Sequence, residues 1–138
     1  MAKKVRVTGL KEAIQSLNEK QKKIDSGLLN ILQDYTLRIE FQAKRLAPTD
    51  MGHLGQSISS NVTNRVSTIS ASANYAPFVE FGTGTRVKVP SGFEELAMTF
   101  YVNGKGLTRP QPFLIPSYLE QKLKYEAAIK KYKNEIRW

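Results

Sequence analysis

From Leu10 onward apolar residues recur at steps of three and four. Leu10, Ile14, Leu17, Ile24 and Leu28, with Gln21 in the same series, fall on one stripe of a helix. The stripe continues through Leu32, Tyr35, Ile39, Ala43 and Leu46, and Pro48 ends it because proline disfavours helical geometry in the residue before it. Gln33, Arg38, Glu40 and Lys44 occupy the opposite side, so the helix over 28–46 is expected to rest on a sheet with one face wet. Asp25-Ser26-Gly27 leaves two options open, a break with a new N-cap or a glycine tolerated inside one long helix. A coiled coil competes with this reading, but the a/d spacing slips after Tyr35.

Elsewhere the period changes. Val5 and Val7 alternate with Arg6 and Thr8, which predicts a short edge strand closed by Gly9. Between Ser57 and Ala73 the β-branched residues outweigh the serine-rich, linker-like composition. Ile58 and Val62 lie four apart, Ile69, Ala71 and Ala73 alternate, and Thr63-Asn64-Arg65 has turn chemistry, so a hairpin is predicted. Tyr75, Phe78, Val79 and Gly82 fall at helical spacing, with Pro77 early enough for a first turn.

Gly82-Thr83-Gly84-Thr85 opens a stretch of mixed signals, 84–109, which reads as a mobile insertion with a helical turn over 93–97. Met98 to Val102 reads as a strand closed by Asn103-Gly104-Lys105-Gly106, and Pro110, Pro112 and Pro116 then hold the backbone extended. A last helix is expected over about 117–134. Tyr118, Leu119, Leu123, Ala127 and Ile129 would form its apolar side, with Lys122, Lys124, Lys130, Lys131 and Lys133 over the rest. The sum is an α+β chain: a small, mostly antiparallel sheet packed against a long helix and a C-terminal helix. At 138 residues it fits a single domain, 1–138, with its core over about 10–134.

With no cysteine among the 138 residues, disulfides, thiolate metal sites and cysteine nucleophiles are excluded. The basic start Met1-Ala2-Lys3-Lys4 lacks the apolar stretch of a signal peptide, and no apolar run is long enough to span a membrane, so a soluble, non-exported protein is expected. A net charge of +9 admits a basic nucleic-acid-binding module as an alternative function. The basic residues gather at the two ends, mixed with Glu12, Glu19, Asp25, Glu126 and Glu135, which equally describes a solvated helix face or a surface for an acidic partner.

Three short runs carry more information than the composition. In the first, Asp50 after the helix-ending Pro48 is placed to cap a short turn by accepting from the amides of Gly52 and His53. Gly52 would supply positive φ or close backbone approach, and Leu54 the anchor to the core. A metal or acid-base site from Asp50, His53 and Glu80 is the rival, weakened because His53 is the only histidine. In the second run, Glu80 stands among aromatic and small residues, where an unpaired carboxylate is costly, so a partner such as Arg86 or Arg109 is expected, within the subunit or across an interface, with a plain exposed glutamate as the alternative. Gly82-Thr83-Gly84-Thr85 lacks the Gly-Lys-Ser/Thr ending of a phosphate loop and reads as a hinge. The third run, Pro112-Phe113-Leu114-Ile115-Pro116, offers apolar side chains on a stiff backbone, for the core or for docking on a neighbour. No Gly-x-Ser-x-Gly elbow is present and no cofactor is implied.

Taken in order, Ala47-Pro48-Thr49-Asp50-Met51-Gly52-His53-Leu54, then Tyr75-Ala76-Pro77-Phe78-Val79-Glu80-Phe81-Gly82-Thr83, then the Pro-Phe-Leu-Ile-Pro run, the chain resembles the gene-product-ten-like tail-component family of long-tailed phages. The family pattern is a helix ending in Ala-Pro, an acid and a glycine followed by Leu, a Ser-Ile strand, Tyr-Ala-x-x-Val-Glu-x-Gly-Thr, a gap, and Pro-Phe-Leu-x-Pro before a C-terminal helix. Pro48, Asp50, Gly52, Leu54, Tyr75, Glu80, Gly82 and Thr83 match its motif positions, and the order of elements extends the likeness over about 10–130. Met51 departs from the usual small polar residue, and 84–109 falls in a region where nothing carries over.

The resemblance implies a structural virion protein and not an enzyme. It would be a neck or tail-completion connector, with a monomer in solution open to it, assembled in the bacterial host cytoplasm into a six- or twelve-fold ring of its own copies at the head-tail junction or proximal tail end. Neighbouring head-completion and tail proteins would be its other partners, and DNA would pass through the conduit. Glu80, Arg86, Arg109, Pro112, Phe113 and Leu114 are the candidate interface residues on this reading.

Overall fold

The computed structural model describes residues 8–50, 52–99, 106 and 108–136, and the edge strand expected at Val5 and Val7 lies outside them. One helix, α1, runs unbroken over Leu10–Leu46. Its end is where the sequence places it, with Ala47 turning to an extended conformation and its amide held by the Ala43 carbonyl at 2.9 Å. Helix α2 (Gly52–Ser57) leads directly into β1 (Ile58–Thr63) and β2 (Val66–Ala71). Helix α3 (Ala76–Phe81), a single 3-10 turn at Gly84–Arg86, α4 (Glu94–Thr99) and α5 (Leu114–Glu135) complete the order.

The glycine at 27 does not break α1, and the reason lies on another helix. A Cβ built there would stand 2.0 Å from the Tyr132 hydroxyl oxygen and 2.4 Å from the ring carbon that bears it. That hydroxyl donates to the Lys23 and Ile24 carbonyls, at 3.3 and 3.5 Å. The glycine therefore makes room for a tyrosine of α5, and the packing offsets the roughly 1 kcal/mol that glycine costs in a helix interior.

The hairpin forms as expected. Ile58 pairs with Ala71, Ser60 with Ile69 and Val62 with Ser67 in antiparallel register, and these pairs line the inner face. Asn64 and Arg65 make the two-residue connection with φ of 52° and 65°, the left-handed pair that matches the twist of the flanking strands. The inner face lies along α1. Thr36 and Ser67 share a hydroxyl hydrogen bond of 2.6 Å, Ser60 donates to Glu40 at 2.5 Å, and Arg65 meets Asp25 at 3.2 Å beside the turn.

Helix α5 runs antiparallel to α1, and the face it buries differs from the expected one. Leu119 and Leu123 point to solvent, with Leu123 70% exposed, and Tyr118 and Ala127 are also exposed. The face on α1 is instead Ser117, Gln121, Tyr125, Ala128 and Tyr132, at steps of four, four, three and four. Polar residues occupy this seam because their partners are polar. Gln121 donates to the Gln42 side-chain oxygen Oε1 at 2.8 Å, Gln42 donates through Nε2 to Glu120 at 2.5 Å, and the Tyr35 and Tyr125 rings meet edge to face at 5.9 Å. The lysines of α5 flank the buried face on both sides.

The stretch 84–109, read from sequence as a mobile insertion, is tied to the body in its described parts. Lys88 donates its amide to the Phe81 carbonyl at 2.8 Å, and Val89 and Phe93 pack against a second core cluster of Phe81, Ala97 and Ile115. Met98 and Thr99, expected to begin a strand, end α4 instead, since α4 continues the helical turn at Phe93 past Ala97; the rest of that expected strand, 100–102, lies outside the described residues. Helix α5 begins at Leu114 and not near Ser117, because Pro116 falls in the first turn, where a missing N–H leaves nothing unsatisfied.

Candidate functional site

The three sequence runs meet in one place. Ala47 and Leu54 of the first, Ala76 and Val79 of the second and Phe113 of the third are all buried in a single cluster with Ala43 and Ile58. Leu54 has no exposed surface, and Phe113 is 1% exposed. Tyr75, Leu114, Ile69, Ala71 and Ala73 pack around the rim. Residues more than sixty positions apart thus form one nucleus in which α1, the hairpin, α3 and α5 are fixed relative to each other.

Glu80 fastens the second run to the third. Its side chain is buried, and its carboxylate accepts three backbone amides: Phe113 at 2.8 Å and Leu114 at 3.0 Å on Oε2, and Ile115 at 2.9 Å on Oε1. With Pro116 next in line, every amide at the start of α5 is either bonded to Glu80 or absent. The negative charge also faces the positive end of the helix dipole. The partner that burial demands is therefore a helix N-terminus, and the ion pair expected with Arg86 or Arg109 is not made within the chain. Both arginines are exposed.

Gly82 and Thr83 hold the segment that leads into α5. Gly82 has φ of 77°, and a Cβ there would lie 2.8 Å from the Pro110 Cδ and 2.9 Å from the Thr108 carbonyl oxygen. Both the conformation and the close approach require glycine. Thr83 donates its amide to the Thr108 carbonyl at 2.9 Å, and its hydroxyl accepts the Thr108 amide at 2.8 Å. The Gln111 amide adds a bond of 2.7 Å to the Val79 carbonyl. Gly82 and Thr83 thus form a clasp where a hinge was expected.

The first run departs from its expected detail. Asp50 is exposed and accepts no hydrogen bond from Gly52 or His53, and Gly52 opens α2 with open space where a Cβ would stand and without positive φ. The helical geometry that begins at Gly52 accounts for this, since it needs neither left-handed backbone nor close approach. Asp50, His53 and Glu80 do not converge, because Glu80 is engaged by α5 while Asp50 and His53 face solvent. Among the described residues no three His, Cys, Asp or Glu side chains are grouped to hold a metal ion, and no helix is long and apolar enough to cross a membrane.

Of the candidate interface residues, Glu80 and Phe113 are thus engaged inside the chain, while Arg86, Arg109 and Pro112 are exposed. Leu114 is half-buried on the wall of an open cleft of about 460 Å³ that runs along β2 and its exit, over α3, to the first turn of α5.

Two further exposed apolar features stand apart from the three runs. The start of α1, from Leu10, extends about 20 Å, at 1.5 Å per residue, beyond the point where Tyr132 meets it at Lys23 and Ile24. Along this arm Leu10, Ile14 and Leu17 are 60%, 51% and 60% exposed and continue the stripe that is buried farther on. The second lies on the outer side of α1, where Leu37 and Phe41 are 61% and 69% exposed. The first was legible as the stripe itself. The second was hidden, since Leu37 and Phe41 fall outside the main periodic series.

Compared with protein-family models, curated proteins and solved structures, the chain matches none.

Proposed function

We propose that this chain is a structural phage protein, a head-tail connector of the neck or of the proximal tail end, which assembles through its exposed surfaces with its own copies and with neighbouring virion proteins around the path of the DNA. The observation that carries the reading is the convergence of the three family-like runs. Residues that resemble the family's pattern make one shared nucleus, with Glu80 joining the second run to the third, as a fold-defining pattern should. The exposed arm of α1 supports assembly as the mode of action, since an apolar stripe on a projecting helix gains by being covered. The virion is its proposed location.

The test is negative-stain microscopy of particles from a phage or prophage in which the reading frame carries an early stop at Gln15, with complementation as the control. Separated heads and tails, or tails of uncontrolled length, are expected. Normal joined particles would overturn the assignment.

A basic nucleic-acid-binding module is the second reading, favoured by the exposure of all five lysines of α5. It predicts sequence-tolerant DNA binding that weakens steeply with salt. A connector predicts little DNA affinity at physiological salt.

A further inference from the structure

The outer side of α1 carries a short sequence of side chains whose order along the helix has its own complement. Asp34, Leu37, Phe41 and Arg45 stand at steps of three, four and four, on one stripe facing away from the hairpin and bordering α5. The stripe begins with an acid, has two large exposed apolar residues in the middle and ends with a base. Laid parallel on itself it would set acid on acid. Laid antiparallel about a two-fold axis near residues 39 and 40, it sets Asp34 against Arg45 of the second copy, and Arg45 against the second copy's Asp34. Phe41 of each copy then packs over Leu37 and the aliphatic stem of Arg38 of the other.

The polar groups are prepared for this arrangement. Arg38 holds Asp34 through Oδ2 alone, with Nε at 3.1 Å and a terminal nitrogen at 3.0 Å, which leaves Oδ1 without a partner among the described residues. Arg38 is itself fixed, 4.7 Å over the Tyr35 ring. Arg45 is exposed and makes no ion pair among the described residues, although its charge helps, after the Gln42 and Lys124 contacts, to hold the Glu120 carboxyl below the ordinary range. The same shallow depression is lined by Gln121, whose Oε1 is buried with no hydrogen-bond partner among the described residues.

We infer that this face is a self-association surface, and that its occupant is the same face of a second copy in antiparallel, two-fold arrangement. Leu37 and Phe41 supply the burial, and the paired Asp34 and Arg45 fix direction and register. The pairing does not rest on the connector reading, because an isologous two-fold contact is not the head-to-tail contact that closes a ring.

Sedimentation equilibrium of the full chain tests it. The unaltered chain is expected to sediment as a dimer. Asp34→Arg sets arginine against arginine at both ends of the contact, and Arg45→Asp sets acid against acid, so each variant alone is expected to be monomeric. An equimolar mixture of the two restores opposite charges at both ends and is expected to return to a one-to-one dimer, which also shows that both variants fold. Phe41→Ser should be monomeric alone and in any mixture. A monomeric unaltered chain, single variants that associate as the unaltered chain does, or a mixture that stays monomeric would each overturn the inference, as would a larger assembly indifferent to Asp34→Arg.

Discussion

Glu80 Oε2 accepts the backbone amide of Phe113 at 2.8 Å, across thirty-three residues of chain, and in doing so caps the start of α5 from another element. A residue's own side chain usually caps the helix it begins; here Phe113 holds that position and contributes no capping hydrogen bond. The phenyl ring is thereby free to fill the core while a buried carboxylate supplies the acceptors. Placing α5, sealing the core at Phe113 and satisfying Glu80 are one event.

Glu80→Gln should therefore destabilise the chain by about 2–3 kcal/mol, since bonds to a charged acceptor are worth about 1.5–3 kcal/mol and the new amide group would face N–H donors with a donor of its own. Glu80→Ala should cost more, by leaving three buried amides unpaired. Urea unfolding followed by circular dichroism measures both. Equal midpoints for the native chain and the glutamine variant would mean that the cap does not hold α5.

How much of this was legible in the sequence depends on how local the physics is. The end of α1 at Pro48, the hairpin with its Asn64-Arg65 turn, and the short helix before Gly82 each follow from a residue type acting on its neighbours, and each stands where it was expected. Glu80 was legible only as a choice between a partnered carboxylate and a plain exposed one, and the fold decides it by burying the side chain. Its partner was not legible, because backbone amides look alike in any sequence. The face of α5 was misread for a related reason. Leu119 and Leu123 look like core residues, and Gln121 does not, until Gln42 is placed opposite it by the fold. The role of Gly27 likewise depends on Tyr132, more than a hundred residues away.

That last pair gives a prediction in which two substitutions do not add. Alanine at an ordinary helix-interior glycine gains about 1 kcal/mol. In the native chain Gly27→Ala should gain little or lose stability, because the new methyl displaces the Tyr132 hydroxyl from the Lys23 and Ile24 carbonyls. In a Tyr132→Ala background the same change should recover the full gain. Thermal unfolding of the four proteins measures the coupling, and additive effects would show that Tyr132 does not occupy that seat in solution.

Glu40 gives the chain a pH dependence with a definite sign. The Ser60 hydroxyl donates to its carboxylate and, with Lys44 at 3.1 Å, holds it below the ordinary glutamate range against a smaller opposing effect of burial. A carboxyl whose folded value is depressed binds protons less readily than in the unfolded chain. Its contribution is therefore complete above the unfolded value of about 4.3 and is lost as pH falls through the lower, folded value. Ser60→Ala should reduce stability near neutral pH and flatten its decline below about pH 4.3, where the unfolded carboxyl itself titrates. Denaturation midpoints taken from neutral pH down through the acid range read this directly. Parallel curves for the two proteins would place the Ser60 contact outside the pH response.

The glutamine seam between α1 and α5 should behave as a set. Glu120 can only accept, so Gln42 must turn its amide nitrogen toward it and its oxygen toward Gln121, and Gln121 is left with a buried oxygen that meets no donor among the described residues. Replacing Gln121 alone by leucine removes the orphan oxygen but strips the Gln42 oxygen of its donor, so the two effects oppose and the net change should stay within about 1 kcal/mol. Replacing Gln42 and Gln121 together by leucine removes both buried side-chain amides of the seam, while Glu120, being exposed, turns to water. The double variant should gain about 1–2 kcal/mol over the native chain. If urea unfolding instead shows it to be the less stable protein, then the seam is satisfied in solution and contributes net stability through its hydrogen bonds.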